Sequence, residues 1–180
     1  MKMPCSDLDR MSYDQLKKQA GALLWQLRLA DAFWFINIEK KAGLGAAEEV
    51  NAAVWEKVGR MAAKDIVERF DIREKGIQGF MNAFKHFSWS LMIDYQVQLR
   101  DNELLLTVPS CPAQEGRKKH GLEEYSCKDM HLREFTAFAT EIDPDIRVDC
   151  LFAPPDRHPP DVYCKWRIYV SGHQYHCKVS

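Results

Sequence analysis

The chain reads as an α+β protein: N-terminal helices packed on a small four-strand antiparallel sheet, with two further helices between its hairpins. Three observations predict this. Apolar residues recur at helical spacing as far as Phe87, the period falls to two at Leu91, and neither a Gly/Ser linker nor an internal repeat separates the two halves. Residues 1–180 are therefore expected to form a single domain, with 172–180 as a flexible tail.

Ser12-Tyr13-Asp14-Gln15 has the form of a capping box, in which the Ser and Gln side chains satisfy each other's orphan amides. Leu16, Leu23, Leu24, Leu27, Trp34 and Ile38 continue that helix, and Gly43 offers a left-handed stop. From Ala30 to Ile38 the apolar residues wrap all the way round, which predicts a helix buried on several sides or a homodimer surface. A second helix starts near Ala46, with Ala47, Val50, Val54, Val58, Ala62, Ile66 and Phe70 as its buried stripe. A third runs from about Ile77 to Phe87 on Phe80, Phe84 and Phe87.

Leu91, Ile93, Tyr95, Val97 and Leu99 then alternate with polar residues as a half-buried strand. Asp101-Asn102 turns the chain, and Glu103–Val108 returns with Leu104, Leu106 and Val108 facing the core. Pro112 suits the first turn of a helix that runs to about His120 and stops at Gly121. Ser126-Cys127-Lys128-Asp129 opens another, with Leu132, Phe135, Phe138 and Ala139 facing inward and Asp143-Pro144 closing it. Ile146–Phe152 and Val162–Val170 alternate as the last two strands, joined by a loop with four prolines.

Charge and hydropathy narrow the functional classes. The formal net charge is −1, divided as +2 over residues 1–90 and −3 over 91–180, so neither half is a cationic arm and binding to nucleic acid through bulk charge is not expected. Apolar runs such as Ala32–Ile36 fall far short of the ~18 residues of a membrane span. Met1–Ser12 is polar, without a hydrophobic signal core, so the expected location is cytoplasmic. There is no G-x-G-x-x-G, P-loop, H-E-x-x-H or G-x-S-x-G, which removes the usual support for dinucleotide, nucleoside-triphosphate, zincin and nucleophile-elbow readings.

The chemistry-bearing residues cluster. Ten of the twelve Cys and His residues follow position 110, and no C-x-x-C occurs, so any metal site must be assembled from distant elements. Cys111 and Cys127 are each expected at a helix start, where free amides and the helix dipole favour a thiolate over a thiol; the alternative is that both are small buried hydrophobes. His131 lies one turn after Cys127 on the same face, and with Cys111 and Cys164 it makes a Cys3His set of a kind zinc accepts. Cys111 or Cys127 is the candidate nucleophile, and Asp129, His131 or Glu39 the proton-transfer group. Trp34, Glu39, Arg117, Lys128 and Trp166 are the residues expected to bind substrate. Cys5 and Cys177 lie near the termini and carry no expectation of function by themselves; His173 and His176 with Cys177 make either an opportunistic metal site or part of a loose tail.

Ala32-Phe33-Trp34-Phe35 with Glu39, Gly43-Leu44 and Val54-Trp55-Glu56 resemble the helical half of a group of prokaryotic cytosolic proteins related to the L-2-amino-thiazoline-4-carboxylic acid hydrolases. The second half is similar to the same group's pattern in Cys111-Pro112, Arg117, Gly121-Leu122, Cys127-Lys128, Asp143-Pro144, Cys150, Pro154-Pro155-Asp156 and Tyr163-Cys164-Lys165-Trp166. The resemblance covers roughly residues 30–170, departing at Asn51, where an acidic residue is expected, and at Asp129, where an apolar residue or proline is. It implies helices on a small antiparallel sheet and, from the named hydrolase, the opening of a thiazoline ring. The expectation is a small-molecule enzyme with a cysteine-centred site and zinc as its one candidate cofactor. The competing expectations are a non-catalytic metal- or ligand-binding module, and an interaction domain that dimerises through Ala30–Ile38.

Overall fold

The structure, a computed structural model, describes residues 7–100 and 102–171. Asp101 of the expected turn pair, the tail 172–180, and Cys5, Cys177, His173 and His176 lie outside the described residues. The elements in order are α1 (Tyr13–Ala42), α2 (Leu44–Arg69), α3 (Gly76–Phe84), β1 (Gln96–Arg100), β2 (Glu103–Val108), α4 (Pro112–Lys119), α5 (Lys128–Ile142), β3 (Ile146–Phe152) and β4 (Cys164–Val170). The four strands are antiparallel in the order β1-β2-β4-β3, which is the α+β architecture expected from the change of period.

Local chemistry accounts for most element ends. The Ser12 amide donates to Gln15 Oε1 at 2.8 Å and the Gln15 amide to Ser12 Oγ at 3.3 Å, so the capping box starts α1. Gly43, at φ 89°, turns α1 into α2 with a single residue, in a conformation an L side chain rarely adopts. Cys111 caps α4 and Pro112 occupies its first position, where a missing N–H costs nothing.

The hinge of the architecture is α5, which packs against α2 on one side and the sheet on the other. Away from α2, Phe138 meets Phe80 and Phe84 of α3 edge-on at 5.8 and 5.9 Å, and Phe135 meets Trp166 of β4 edge-on at 5.3 Å. Toward α2, the helices approach so closely that a Cβ at Gly59 would lie 2.8 Å from the Glu134 carbonyl oxygen. The residues α2 buries are Ala47, Asn51, Ala52, Trp55, Gly59, Ala63 and Ile66.

This corrects the expected stripe on α2. Val50, Val54 and Val58 are exposed, and the buried face is the adjacent one carrying small residues. Apolar side chains mark a face as able to be buried; the small side chains let the α5 backbone approach, and that contact decided the orientation. α1 is corrected in the same way. Of Phe33-Trp34-Phe35-Ile36 only Phe35 is buried, and Phe33 is 59% exposed. The first strand starts at Gln96 rather than Leu91, because Ser88–Leu91 forms a 3-10 turn in which Ser90 Oγ donates to the Phe87 carbonyl at 2.7 Å. Leu91 is consequently 62% exposed, and Val97 and Leu99 on the edge strand are exposed as well.

Replacing Gly59 by Ala is expected to destabilise the protein by about 1–3 kcal/mol, because the new methyl meets backbone that cannot rotate away. Urea unfolding monitored by circular dichroism measures this; an unchanged midpoint would show that the α2–α5 contact has room for a side chain at Gly59.

Candidate functional site

Two small adjoining cavities lie where α1, α2, α4, α5 and β4 meet, and they share Ile93, Cys111 and His131. The first is lined by Cys127, Cys164, Trp166 and Gln114 in addition to the shared residues and has a volume of about 20 Å³. The second, of about 30 Å³, is lined by Asp31, Asn51, Trp55, Trp89, Tyr125 and Glu134. Each is the size of a single water or a group of that size. The structure thus brings Cys111, Cys127, Cys164, His131 and Trp166 around one space, although they come from α5, β4 and the residues that cap α4 and α5.

The thiols are not thiolates. Burial pushes Cys111 and Cys127 above the ordinary thiol value and Cys164 up to about 12. The helix start does act at Cys111, where the Gln114 and Ala113 amides offset part of the burial, but desolvation of the anion is the larger effect. At Cys127 the Cys127 and Lys128 N–H groups donate to the Pro154 carbonyl at 3.2 and 3.1 Å, and burial outweighs the hydrogen bonds from Gln114 and the Cys127 amide that favour the anion. The neighbouring Cys111 and Cys164 raise the Cys127 thiol further. Expecting depressed thiol pKa values is therefore corrected: the helix starts are where the sequence put them, and the surrounding apolar walls reverse their effect. The Cys150 thiol, opposite Trp166 on β3, is pushed up to about 11 by burial.

Around these thiols a polar frame holds the geometry. Gln114 is fully buried; its Nε2 donates to the Tyr125 carbonyl at 3.0 Å and to Cys127 Sγ at 3.6 Å, and its Oε1 accepts from the Tyr125 amide at 3.2 Å. His131 Nδ1 sits 2.8 Å from Glu134 Oε2, and its ring stacks on Phe135 at 5.4 Å. A ring anchored through Nδ1 leaves Nε2 as its free nitrogen. Asp31 Oδ1 accepts the Trp55 indole N–H at 3.0 Å, and burial pushes the Asp31 carboxyl up to about 6, with Glu134 raising it further. Asn51 Oδ1, Glu134 Oε1 and Trp166 Nε1 are buried with no hydrogen-bond partner. Leaving such an atom unpaired costs about 1–3 kcal/mol.

Other expected site residues are placed differently. Glu39 and Arg117 are bound to each other, Nη1 to Oε2 at 2.6 Å and Nη2 to Oε1 at 3.1 Å, and Arg117 Nε donates to the Glu123 carbonyl at 2.7 Å. They form a latch between α1 and α4, in which Arg117 holds the Glu39 carboxyl below its ordinary range, rather than two groups free for substrate. Lys128 pairs with Asp156 at 2.8 Å, and Trp34 is half-buried against Phe35 without lining either cavity. Asp129 is removed from the centre: it is exposed and paired with Arg133 one turn along, at 2.9 Å. Among the described residues no group of three or more His, Cys, Asp or Glu is arranged to hold a metal ion. Cys111, Cys127, Cys164 and His131 line one cavity without forming such a group.

Asp31, Asn51, Gln114 and Glu134 were not singled out as site residues from the sequence. Their signal is positional: each is a polar residue within an inward row, Asp31 four before Phe35, Asn51 four before Trp55, and Glu134 seven after Cys127. An inward acid or amide at such a position is buried by design of the helix and needs a partner.

Fold and centre together define an α+β protein with a buried thiol–imidazole–carboxylate cluster. The chain belongs to a family of unknown function, DUF6125, which matches residues 13–170. No curated protein matches it. No helix among the described residues is long and apolar enough to cross a membrane.

Because Asp31 is harder to ionise in the folded protein than at its unfolded value of 3.8, its contribution to stability is fully present below pH 3.8 and is lost as pH rises to about 6. Above pH 6 the buried carboxylate is a constant cost. Asp31→Asn, which keeps the Trp55 acceptor, is expected to raise stability at pH 7.5 by about 1–2 kcal/mol after allowance for partial solvent screening, with the gain vanishing near pH 4. Urea midpoints of both proteins across that range measure it.

Proposed function

We propose that the protein is a hydrolase of a small nitrogen- or sulfur-containing molecule, with Cys111 as nucleophile, His131 as general base and Glu134 as the residue that orients the imidazole. The observation that carries this reading is the 2.8 Å contact of His131 Nδ1 with the buried Glu134, on a ring that faces the cavities Cys111 also lines. A nucleophile, a base and a third group fixing the base is the arrangement that activates a neutral thiol only as it attacks. The raised Cys111 pKa fits that mode and opposes a preformed thiolate.

The resemblance to thiazoline-carboxylate hydrolases supplies a bond to break. Attack of Cys111 Sγ on the carbon of a ring C=N group sends the thiol proton through His131 to the nitrogen. The nitrogen lone pair then re-forms C=N as the ring C–S bond breaks, and that proton passes to the departing sulfur. Water, deprotonated by His131, adds to the enzyme-bound carbon as the C=N pair moves to nitrogen, which takes that proton from His131; the C–OH then becomes C=O as the bond to Cys111 breaks, and its proton passes through His131 to the Cys111 sulfur. Asp31, with its carboxyl pushed up to about 6, lines the second cavity, where it can give or take a proton. Each cavity holds only a group of water size, so a ring displaces lining side chains as it enters.

The test is incubation with 2-amino-thiazoline-4-carboxylate and detection of the ring-opened thiol by mass spectrometry. Cys111→Ser and His131→Gln are expected to lower kcat/KM by about 10²–10⁴ with little change in melting temperature, while Asp129→Asn leaves it unchanged. Activity retained in Cys111→Ser would overturn the role of Cys111 as nucleophile; no turnover of this and related C=N substrates would overturn the hydrolase in favour of a non-catalytic ligand- or metal-binding module, for which elemental analysis after anaerobic purification is the direct measurement.

A further inference from the structure

The second cavity carries an observation that the thiol chemistry leaves unused. Asn51 and Glu134 line it and are 3% and 1% exposed, yet Asn51 Oδ1 and Glu134 Oε1 have no hydrogen-bond partner. Asp31 faces the same space with one oxygen already accepting from Trp55. Three acceptor-bearing side chains, two of them able to carry negative charge, therefore converge where a ligand must bring the donors. Trp55, Trp89 and Tyr125 also line it, beside apolar residues and the shared Cys111 and His131, and Trp55 and Trp89 lie edge-to-face at 5.5 Å. Aromatic faces attract cations as well as apolar groups.

We propose that this cavity is the seat of a cationic nitrogen, the primary ammonium or amidinium head of the substrate, which donates to Asn51 Oδ1, Glu134 Oε1 and Asp31. The inference rests on the reading of Cys111 and His131 as the reacting centre and names the class of molecule that centre takes. A water brings two donors to the cavity without charge; a primary ammonium brings three, and one NH2 end of an amidinium two, with the charge that two carboxyl groups call for. The volume of about 30 Å³ admits one N–H-bearing nitrogen and not a trimethylated one. Since Cys111 and His131 belong to both cavities, a nitrogen held here places the carbon bonded to it beside the thiol and the imidazole.

Binding is measured by tryptophan fluorescence, because Trp55 and Trp89 line the cavity, with thermal shift as a second readout and ionic strength held constant. The probes are acetamidinium, its neutral near-isostere acetamide, and tetramethylammonium, titrated into the whole protein. Acetamidinium is expected to bind saturably, at least about tenfold more tightly than acetamide, as charge-assisted hydrogen bonds require. Tetramethylammonium should not bind. Glu134→Gln and Asn51→Leu should each weaken acetamidinium by about tenfold or more; should either fail to fold, Asp31→Asn, which keeps the acceptor to Trp55, serves instead. Equal affinity for acetamidinium and acetamide, binding of tetramethylammonium, or acetamidinium binding unmoved by these variants would each overturn the inference. The catalytic reading fails separately. Selective acetamidinium binding in wild type and in Cys111→Ala, with no hydrolysis of any C=N substrate, leaves the cation seat standing and removes the hydrolase. Hydrolysis that makes no distinction between cationic and neutral substrates does the reverse.

Discussion

The close approach of α2 to α5, with no room for a side chain at Gly59 against the Glu134 backbone, is the contact on which the centre depends. It puts the inward row of α2, Asn51 and Trp55, against the inward row of α5, His131 and Glu134, so these four residues of the polar cavity share one helix interface. The other face of α5 is held by aromatic edge-to-face contacts with α3 and β4. A helix clamped on both sides has little freedom to rotate, which keeps the His131 ring against Phe135 and near Trp166.

Burial decides the protonation of the centre. Cys111, Cys127 and Cys164 stay thiols, and Asp31 holds its proton to about pH 6, because each negative charge would have to be formed away from water and near others of its kind. The Glu39–Arg117 pair shows the opposite case at the edge of the same region. There a guanidinium makes two hydrogen bonds to the carboxylate while stacking near Phe35 and Tyr125, and the charged form is favoured.

Long-range polar contacts tie these parts together. Gln114 on α4 fixes the Tyr125 backbone in both directions, Glu48 on α2 takes the Ser126 amide at 2.6 Å, and the Pro154 carbonyl takes the next two. The segment leading into α5 is thus capped from three separate elements, where the sequence pointed to a local cap at Ser126. Cys127 is in consequence the capping residue, and its sulfur is turned into the core beside Gln114.

By itself, the sequence determined the elements whose causes are local: the Ser12 box, the Gly43 turn, the Pro112 start of α4, and the alternation of β2, β3 and β4 that turns Cys164 and Trp166 inward. It also determined that Cys127, His131 and Glu134 share one face of a helix, since three, four and seven residues return to the same side. Only the tertiary structure decided which face of α2 is buried, that Ser88–Leu91 turns before the first strand, that Asp129 faces solvent, and that the helix-start cysteines are neutral. The division has one physical reason. Caps, turns and side-chain periodicity are set by residues a few positions apart, whereas the approach of two helices and the cost of forming a charge depend on which distant side chains exclude water from the same space.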